Sequence, residues 1–450
     1  MNDATGALLQ DVWLVPMDGP DAAPLGDVRR GDLRVRDGRI VALGALVPEP
    51  GERVIAGRGR HALPGFVQGH VHATQTLFRG LADDLPLLDW LRTRIWPLEH
   101  AHDAASTRVS AELTFAELLA GGTTTAQTME SVRHAEVVAE EAQRSGMTVI
   151  TGNCLMDEAD PHLPPGMATS AAEALAITDE LRRAFHGHGR ISIAVSPRFV
   201  LSVSEGLARD AAAFAQQHDL RVHTHAAEHP AELAAVRARF HRDYVQVLHG
   251  QGLLGARTAL AHCVHTSEAE RDLLAATRSS VLHCPSTNLK LGSGIAPLAD
   301  YRRRGIAVGI GADGAPCNNR LSMLTELRQA ALLQALDAGP GQWPAAAALA
   351  AATRGGAAAL GLTDVGQLAP GKRADVVLFD LQDPRLGVID AQRPASALVY
   401  AASERHVDAV MLGGEFVVEG GRVLGSDWHE LRRAAAAALP GVLRRAGLAR

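Results

Sequence analysis

The stretch Leu63-Pro64-Gly65-Phe66-Val67-Gln68-Gly69-His70-Val71-His72 decides how the rest of this chain is interpreted. Its apolar residues predict a buried strand that ends at two histidines. Because side chains alternate along a strand, residues i and i+2 point to the same face, so His70 and His72 can bind one cation together. Such a tripeptide alone is a coincidence about as often as it is a site, so the remaining chain has to decide.

The segment Val222-His223-Thr224-His225 repeats this spacing at the end of a second predicted strand. We take His225 as the metal ligand and His223 as a packed or supporting histidine. Glu228 follows just past the strand, near the metal but free to move protons rather than to coordinate. An exposed carboxylate at a helix start is the alternative for Glu228.

Two more short apolar runs end in residues that bind metal or move protons, His262 and Asp313. An isolated aspartate after a strand is usually a turn residue or a helix N-cap. Together with the three histidines, Asp313 becomes the fourth ligand candidate. The sequence therefore predicts one metal-centred hydrolytic site.

Apolar runs alternate with helical segments from Leu63 to about Leu362. The predicted strands include residues 147–151, 191–196, 220–225, 259–262, 281–284 and 308–311. This alternation is typical of parallel βα units. Since the candidate site residues all follow strands, we predict an α/β fold, a (β/α)₈ TIM barrel with its site at the carboxyl ends of the strands. An open doubly wound sheet is the alternative, but no GxGxxG follows an early strand.

Both ends of the chain contain strand patterns, including a hairpin around Asp37-Gly38. We predict that residues 1–60 and 363–425 form one small β-sandwich domain. The barrel would span residues 61–362, and an alanine-rich helix would occupy residues 426–450.

Composition excludes several classes of function. A net charge of −6 gives no basic surface for nucleic acid, and no apolar run approaches the roughly 20 residues that span a membrane. Residues 1–5 lack the features of a secretory signal, so we expect a cytoplasmic protein. The four cysteines include no CxxC pair, and only Lys290 and Lys372 are lysines. No lysine ends the strand at 191–196 to bridge two ions, which favours a single metal.

Six ordered motifs resemble the amidohydrolase superfamily, specifically its deaminase and chlorohydrolase branch. They are the stretch from Leu63 to His72, Asp84-Leu85-Pro86-Leu87-Leu88-Asp89-Trp90-Leu91, His225-Ala226-Ala227-Glu228, His262-Cys263-Val264-His265, His283-Cys284-Pro285-Ser286-Thr287-Asn288 and Gly311-Ala312-Asp313-Gly314. The resemblance covers nearly the whole chain, and family members often associate, which suggests a homo-oligomer by analogy.

The resemblance implies that one divalent ion, zinc or alternatively iron, is held by a set of four residues. These are His70, His72, His225 and Asp313. Such an ion lowers the pKa of water, and Asp313 can accept the proton as attack begins. His262 would orient substrate and water, and Glu228 would protonate a ring nitrogen so that ammonia can leave.

The substrate signals point to two branches of the family. Gln75, Arg198 and Phe199 resemble the positions with which guanine deaminases hold the purine, although Arg198 could instead pair with a barrel carboxylate. Residues 77–84, 95–99 and 314–319 resemble deaminases of adenosine derivatives. Trp90 would line the pocket mouth, with packing in an ordinary helix as the alternative.

We favour a 6-aminopurine nucleoside as substrate: 5′-deoxyadenosine or a similar compound, adenosine, methylthioadenosine or S-adenosylhomocysteine. Guanine is the main alternative, and s-triazine chloro- or aminohydrolysis is a third, because the fold and metal site do not decide the leaving group. A catalytically silent barrel that binds a partner is the non-enzymatic alternative.

Overall fold

The chain alternates strands and helices over residues 6–449, the part that the computed structural model describes. The strands are β1 (Ala7–Leu14), β2 (Arg29–Arg36), β3 (Arg39–Gly44), β4 (Arg53–Ala56), β5 (His61–Pro64), β6 (Phe66–Val71), β7 (Thr123–Thr128), β8 (Thr148–Thr151), β9 (Cys154–Leu155), β10 (Ile191–Pro197), β11 (Arg221–Ala226), β12 (Thr258–His262), β13 (Ser280–His283), β14 (Val308–Ile310), β15 (Val376–Phe379), β16 (Val407–Leu412), β17 (Glu415–Glu419) and β18 (Arg422–Val423).

The α-helices follow the same order. They are α1 (Leu87–Trp90), α2 (Trp96–His100), α3 (Ala104–Ala120), α4 (Ala135–Ser145), α5 (Ala171–Phe185), α6 (Glu205–Gln217), α7 (Pro230–Phe240), α8 (Tyr244–Gly250), α9 (Glu268–Thr277), α10 (Pro285–Lys290), α11 (Leu298–Arg303), α12 (Ala315–Asn318), α13 (Met323–Asp337), α14 (Ala345–Ala351), α15 (Arg354–Ala359) and α16 (Trp428–Arg445). A π-helical turn, Leu91–Ile95, joins α1 to α2.

Eight parallel strands close into a barrel. The order is β6-β7-β8-β10-β11-β12-β13-β14, and β14 returns to β6 through Ile310 opposite Gln68. The two-residue β9 pairs with the end of β10. The predicted (β/α)₈ barrel is therefore confirmed, and its carboxyl-end loops meet on one face.

The barrel strands form because each is a short buried run between helices that cover it. Helix α5 shows the matching pattern, since Ala174, Thr178 and Leu181 are its buried residues at helical spacing. Ser170 caps this helix by accepting a hydrogen bond from the backbone N–H of Glu173. Such helices bury one apolar stripe against the strands.

Strands from both chain ends form a separate sheet. Its order is β18-β17-β16-β15-β5-β1-β2-β3, with β4 beside β1. Both chain ends thus contribute strands to one continuous hydrogen-bonded sheet that is separate from the barrel. The predicted hairpin joins β2 to β3, where Asp37 and Gly38 have φ of 48° and 72°, as a type I′ turn requires.

The chain passes directly from this sheet into the barrel across Gly65. A Cβ at Gly65 would lie 2.1 Å from Thr124 Oγ1, so only glycine fits between β5 and β6. Since β5 pairs with β1 and β15, we propose a domain boundary at Gly65 rather than at residue 61. The interpretation of residues 1–5 lies outside the described residues. Among residues 6–449, no helix is both long and apolar enough to cross a bilayer.

Candidate active site

The four predicted metal ligands meet at the carboxyl ends of β6, β11 and β14. Their ligand atoms all lie within 4.8 Å of one another. The Nε2 atoms of His70 and His72 lie 3.3 and 3.2 Å from Asp313 Oδ1, and His72 Nε2 lies 3.2 Å from His225 Nε2. A bridge between Val71 and Asp313 joins the ends of β6 and β14. The barrel thus brings together residues that are up to 243 positions apart (313 − 70).

The ring orientation of each histidine is fixed by a contact at Nδ1. His72 Nδ1 lies 2.6 Å from the carbonyl of Met129, and His225 Nδ1 lies 2.7 Å from the carbonyl of Arg198. His70 Nδ1 lies 3.0 Å from His223 Nε2, which gives His223 the supporting role predicted for it. These contacts turn all three Nε2 atoms toward the same point, as second contacts of metal-binding histidines commonly do.

The loop backbone is strained where it presents the site. Asp313 has φ of 64°, His262 has 72°, and Ala227, just before Glu228, has 50°. Non-glycine residues rarely adopt this region, and such strain concentrates at functional sites. Hydrogen bonds from Asp313 N to the His70 carbonyl and from Cys263 N to the Ala226 carbonyl, both 2.9 Å, hold these loops.

The pKa directions of three of the four residues match a metal site, whereas for His72 burial is outweighed by Asp313, which raises its pKa above the ordinary value. Burial opposes ionisation of Asp313, but hydrogen bonds with His70 and His72 outweigh it and hold its pKa well below the ordinary value. Burial lowers the pKa of His70 to about 4, and the pKa of His225 also falls well below its ordinary value. A carboxylate and neutral imidazoles are the forms that coordinate a cation. Among the described residues, His70 Nε2 is buried, and it lies 3.3 Å from Asp313 Oδ1 without a well-aligned hydrogen bond. The residues therefore fit one divalent ion.

Glu228 and His262 lie beside this set. Glu228 Oε2 is 3.5 Å from His262 Nε2, which is 3.8 Å from Asp313 Oδ2. Asn288 Oδ1, at 2.9 Å, fixes the ring of His262 through Nδ1. Burial, followed by the charges of Asp313 and Glu232, raises the pKa of Glu228 well above its ordinary value. A buried carboxyl group that retains its proton can act as an acid.

A cleft opens over these groups. Its lining contains the predicted substrate residues Trp90, Arg198 and Phe199. The other lining residues are His72, Leu87, Leu91, His225, Glu228, Leu291 and Asp313. Three leucines thus line the cleft together with the ionisable groups, and Trp90 is part of the same lining.

Gln75 does not lie against this cleft. It is fully buried, and its Nε2 donates a 2.8 Å hydrogen bond to Glu99 Oε1. Arg198 donates to the same carboxylate, from Nη1 to Oε2 at 2.6 Å and from Nη2 to Oε1 at 3.2 Å. This is the carboxylate pairing named above as the alternative for Arg198, supplied by helix α2. The residue that sequence reasoning did not place in the site is Glu99.

The Glu99–Arg198 pair links the cleft wall to a metal ligand, because the carbonyl of Arg198 also holds His225. Both side chains are at most 3% exposed. Burial opposes the charge of Glu99, but attraction to Arg198 prevails and lowers the pKa of Glu99. We infer that Glu99 is a positioning residue for Arg198.

Replacing Glu99 with glutamine should leave a buried guanidinium without its counter-charge. We expect the free energy of unfolding to fall by about 3–5 kcal/mol, and KM to rise more than kcat falls. Urea denaturation and steady-state kinetics measure the two effects. The exposed pair between Arg108 and Glu140 provides the control, since Glu140→Gln should cost at most about 1 kcal/mol. Equal effects of the two variants would contradict the positioning role.

A parallel barrel that carries three histidines and an aspartate at its carboxyl face, beside a buried glutamate, defines the class of metal-dependent barrel hydrolases. The amidohydrolase family profile matches residues 61–417. The chain belongs to the amidohydrolase family.

Similar proteins include several named deaminases. A 5-methylthioadenosine/S-adenosylhomocysteine deaminase of Pelotomaculum thermopropionicum is 35% identical over 94% of this chain and 96% of its own. A 5′-deoxyadenosine deaminase of Methanothermobacter thermautotrophicus is 36% identical, covering 94% and 98%, and an 8-oxoguanine deaminase of Pseudomonas aeruginosa is 37% identical, covering 91% and 95%. The chain is a hydrolase of carbon–nitrogen bonds.

Among solved structures, an adenosine deaminase from Xanthomonas campestris with bound zinc has the same fold. It superposes with a TM-score of 0.88 at 31% identity, covering 98% of each chain.

Proposed function

We propose that this protein is a metal-dependent deaminase of a 6-aminopurine nucleoside, such as 5′-deoxyadenosine, adenosine, methylthioadenosine or S-adenosylhomocysteine. The observation that carries the proposal is Glu228, a buried carboxyl group with a raised pKa that lies next to the four ligand residues. Hydrolytic deamination needs such an acid beside an activated water. The similarity to deaminases of adenosine derivatives supports the substrate class.

The residues divide the proton transfers between them. When bound, a divalent ion lowers the pKa of a water molecule that can attack the amino-bearing ring carbon. Asp313 accepts the proton from that water, and Glu228 gives its own proton to the neighbouring ring nitrogen. His262, fixed by Asn288, orients the reacting groups. Proton transfer to the amino group then lets ammonia leave, and a carbonyl remains on the ring.

The cleft lining fits a nucleoside with an apolar 5′ end. Phe199 offers an aromatic face on which a purine can stack, and the guanidinium of Arg198 can donate to a ring acceptor. Leu87, Leu91 and Leu291 provide an apolar surface. A methyl or thioether group binds such a surface better than a charged chain does, so among the proposed nucleosides the lining favours 5′-deoxyadenosine and methylthioadenosine over S-adenosylhomocysteine.

A guanine-type base is the second candidate, and a specific observation favours it. Arg198 and Phe199 line the cleft, and a relative that is 37% identical is named for 8-oxoguanine. Against this candidate, Gln75 donates to Glu99, so its amide hydrogen is engaged away from the cleft. Hydrolysis of an s-triazine uses the same attack with another leaving group and is the third candidate.

A substrate panel tests these three candidates. The panel contains 5′-deoxyadenosine, methylthioadenosine, S-adenosylhomocysteine, adenosine, guanine, 8-oxoguanine and a chloro-s-triazine, with ammonia or chloride release measured on metal-loaded protein. We expect kcat/KM for at least one nucleoside to exceed that for either base by about 100-fold or more. A reversed order would replace the proposal with the guanine-type one. No turnover by protein that retains one equivalent of metal would favour a silent barrel.

Three further properties remain proposals. Zinc is the proposed metal, because the donor set is nitrogen and oxygen and the similar adenosine deaminase structure holds zinc. We propose iron as the alternative metal, cytoplasmic residence, and association of identical chains. Metal analysis of protein purified without added metal tests the first of these.

A further inference from the structure

A second group of metal-binding side chains overlaps the first. His70, His262, Cys284 and Asp313 offer ligand atoms that all lie within 4.8 Å of one another, and all four residues are buried. Cys284 directly follows β13, on the barrel face where the predicted ligands lie. The proposed reaction uses neither Cys284 nor its thiol, so this group needs its own explanation.

Asp313 is positioned to serve both groups. Its Oδ1 lies within 3.3 Å of the Nε2 atoms of His70 and His72, whereas its Oδ2 lies 3.8 Å from His262 Nε2. A carboxylate whose two oxygens face different ligand sets is the usual bridge of two-metal sites, which hold their ions about 3.5–4 Å apart. His70 Nε2 belongs to the first set, so His262, Cys284 and Asp313 Oδ2 remain for a second ion.

A second observation, independent of the clustering, indicates that an ion binds beside His262. Its ring is fixed through Nδ1 by Asn288, and within residues 6–449 its Nε2 is buried with no hydrogen-bond partner. The ligand atoms of Cys284 and Asp313 lie within 4.8 Å of that of His262 and of each other. An unpartnered imidazole nitrogen, a thiol and a carboxylate are therefore close enough to bind one ion, and three protein donors are enough for zinc.

We propose that His262, Cys284 and Asp313 bind a second, inhibitory ion of the zinc type. Imidazole, thiolate and carboxylate are the donors that zinc prefers, and the sulfur selects zinc, cadmium or cobalt over magnesium and manganese. As the metal–sulfur bond forms, the thiol proton of Cys284 passes to solvent. Inhibition rests on the proposed function, because the second ion engages His262 and Asp313, which that reaction needs.

Cobalt(II) titration of the full-length protein tests the binding directly. The first equivalent should fill the His70, His72, His225 and Asp313 set without a sulfur-to-cobalt charge-transfer band. The second should produce that near-ultraviolet band. The variant Cys284→Ser should lose the band and weaken binding of the second ion by at least about tenfold. Cys154→Ser, which removes another buried thiol outside both sets, should leave the spectrum unchanged.

Two results would overturn the proposal: no charge-transfer band in the natural protein at saturating cobalt, or a band that persists in Cys284→Ser. If Cys284→Ser fails to fold by circular dichroism, Cys284→Ala replaces it, and the titration of the natural protein still decides. A parallel assay should show inhibition by excess free zinc that Cys284→Ser relieves. If no nucleoside is turned over, the proposed function is wrong and the zinc-inhibition assay cannot be run. The cobalt titration needs no substrate, so it still decides whether the second ion binds.

Discussion

Replacing Asp313 with alanine is expected to abolish tight binding of the catalytic ion and to lower kcat by about 10³-fold or more. Asp313 provides the only carboxylate of the four-residue ligand set, and its Oδ1 lies within 3.3 Å of two of the three histidines. It also occupies the position from which we propose it accepts the proton of the attacking water. One substitution therefore removes both a ligand and a base. Metal content after dialysis and steady-state kinetics measure the two losses.

Asp313→Asn separates the two roles. The amide oxygen retains the size of a ligand but has no charge and accepts no proton at neutral pH. We expect this variant to keep part of its metal content and yet to be as inactive as Asp313→Ala. The exposed residue Asp337 provides the control, because Asp337→Ala should change neither quantity. Substantial activity in Asp313→Asn would show that another group accepts the proton.

The sequence was sufficient to predict the barrel and to place the candidate ligands at its strand ends, because both depend on local patterns. A buried strand followed by a histidine or an aspartate is visible within about ten residues, and parallel strands place such ends on one face. All six predicted strands agree with β8, β10, β11, β12, β13 and β14 to within one residue at each end. The ligand spacing in β6 follows from side-chain alternation alone.

Strand β7 was missed because its residues hide the pattern. The run Thr123-Thr124-Thr125-Ala126-Gln127-Thr128 is fully buried, although five of its six residues are polar, so it shows no apolar pattern that predicts a strand. Threonine favours strands because its side chain is branched at Cβ. Its hydroxyl group makes it count as polar, so a buried strand of threonines does not stand out as an apolar run. Thr128 and Thr151 join β7 to β8 by a 2.8 Å hydroxyl hydrogen bond.

The contacts of Glu99 could not be predicted for a different reason. Glu99 and Arg198 are separated by 99 positions, and their pairing depends on how the segment of α1, the π-helical turn and α2 folds over the barrel mouth. No local spacing encodes such a contact. The same pairing explains why Gln75 faces Glu99 rather than the cleft. Ligand positions were thus predictable from strand ends, whereas substrate contacts depend on helices and loops that vary between families.

The second large effect is expected for Glu228→Gln, which should retain its bound metal and lower kcat by about 10²–10⁴-fold. Glu228 is not needed for the four-residue ligand set, but it carries the proton that the proposed reaction delivers to the ring nitrogen. Glutamine has the same shape and can still accept from Ser293, yet it has no acidic proton to give. Metal analysis should therefore show that Glu228→Gln keeps its metal while kinetics on the preferred nucleoside show a lowered kcat. In Asp313→Ala, by contrast, metal content and kcat should fall together.

The surroundings of Glu228 strengthen this expectation. Its backbone N–H donates a 3.0 Å hydrogen bond to Glu232 Oε2, and Tyr244 donates to the other oxygen of Glu232 at 2.7 Å. Glu232 thus fixes the backbone of Glu228 and adds a negative charge that helps to raise its pKa. The exposed helix-start residue Glu205 is the matched control, since Glu205→Gln removes a carboxylate without a role in the site. If Glu228→Gln lost metal and activity together, or kept full activity, Glu228 would be a ligand or a bystander rather than the acid.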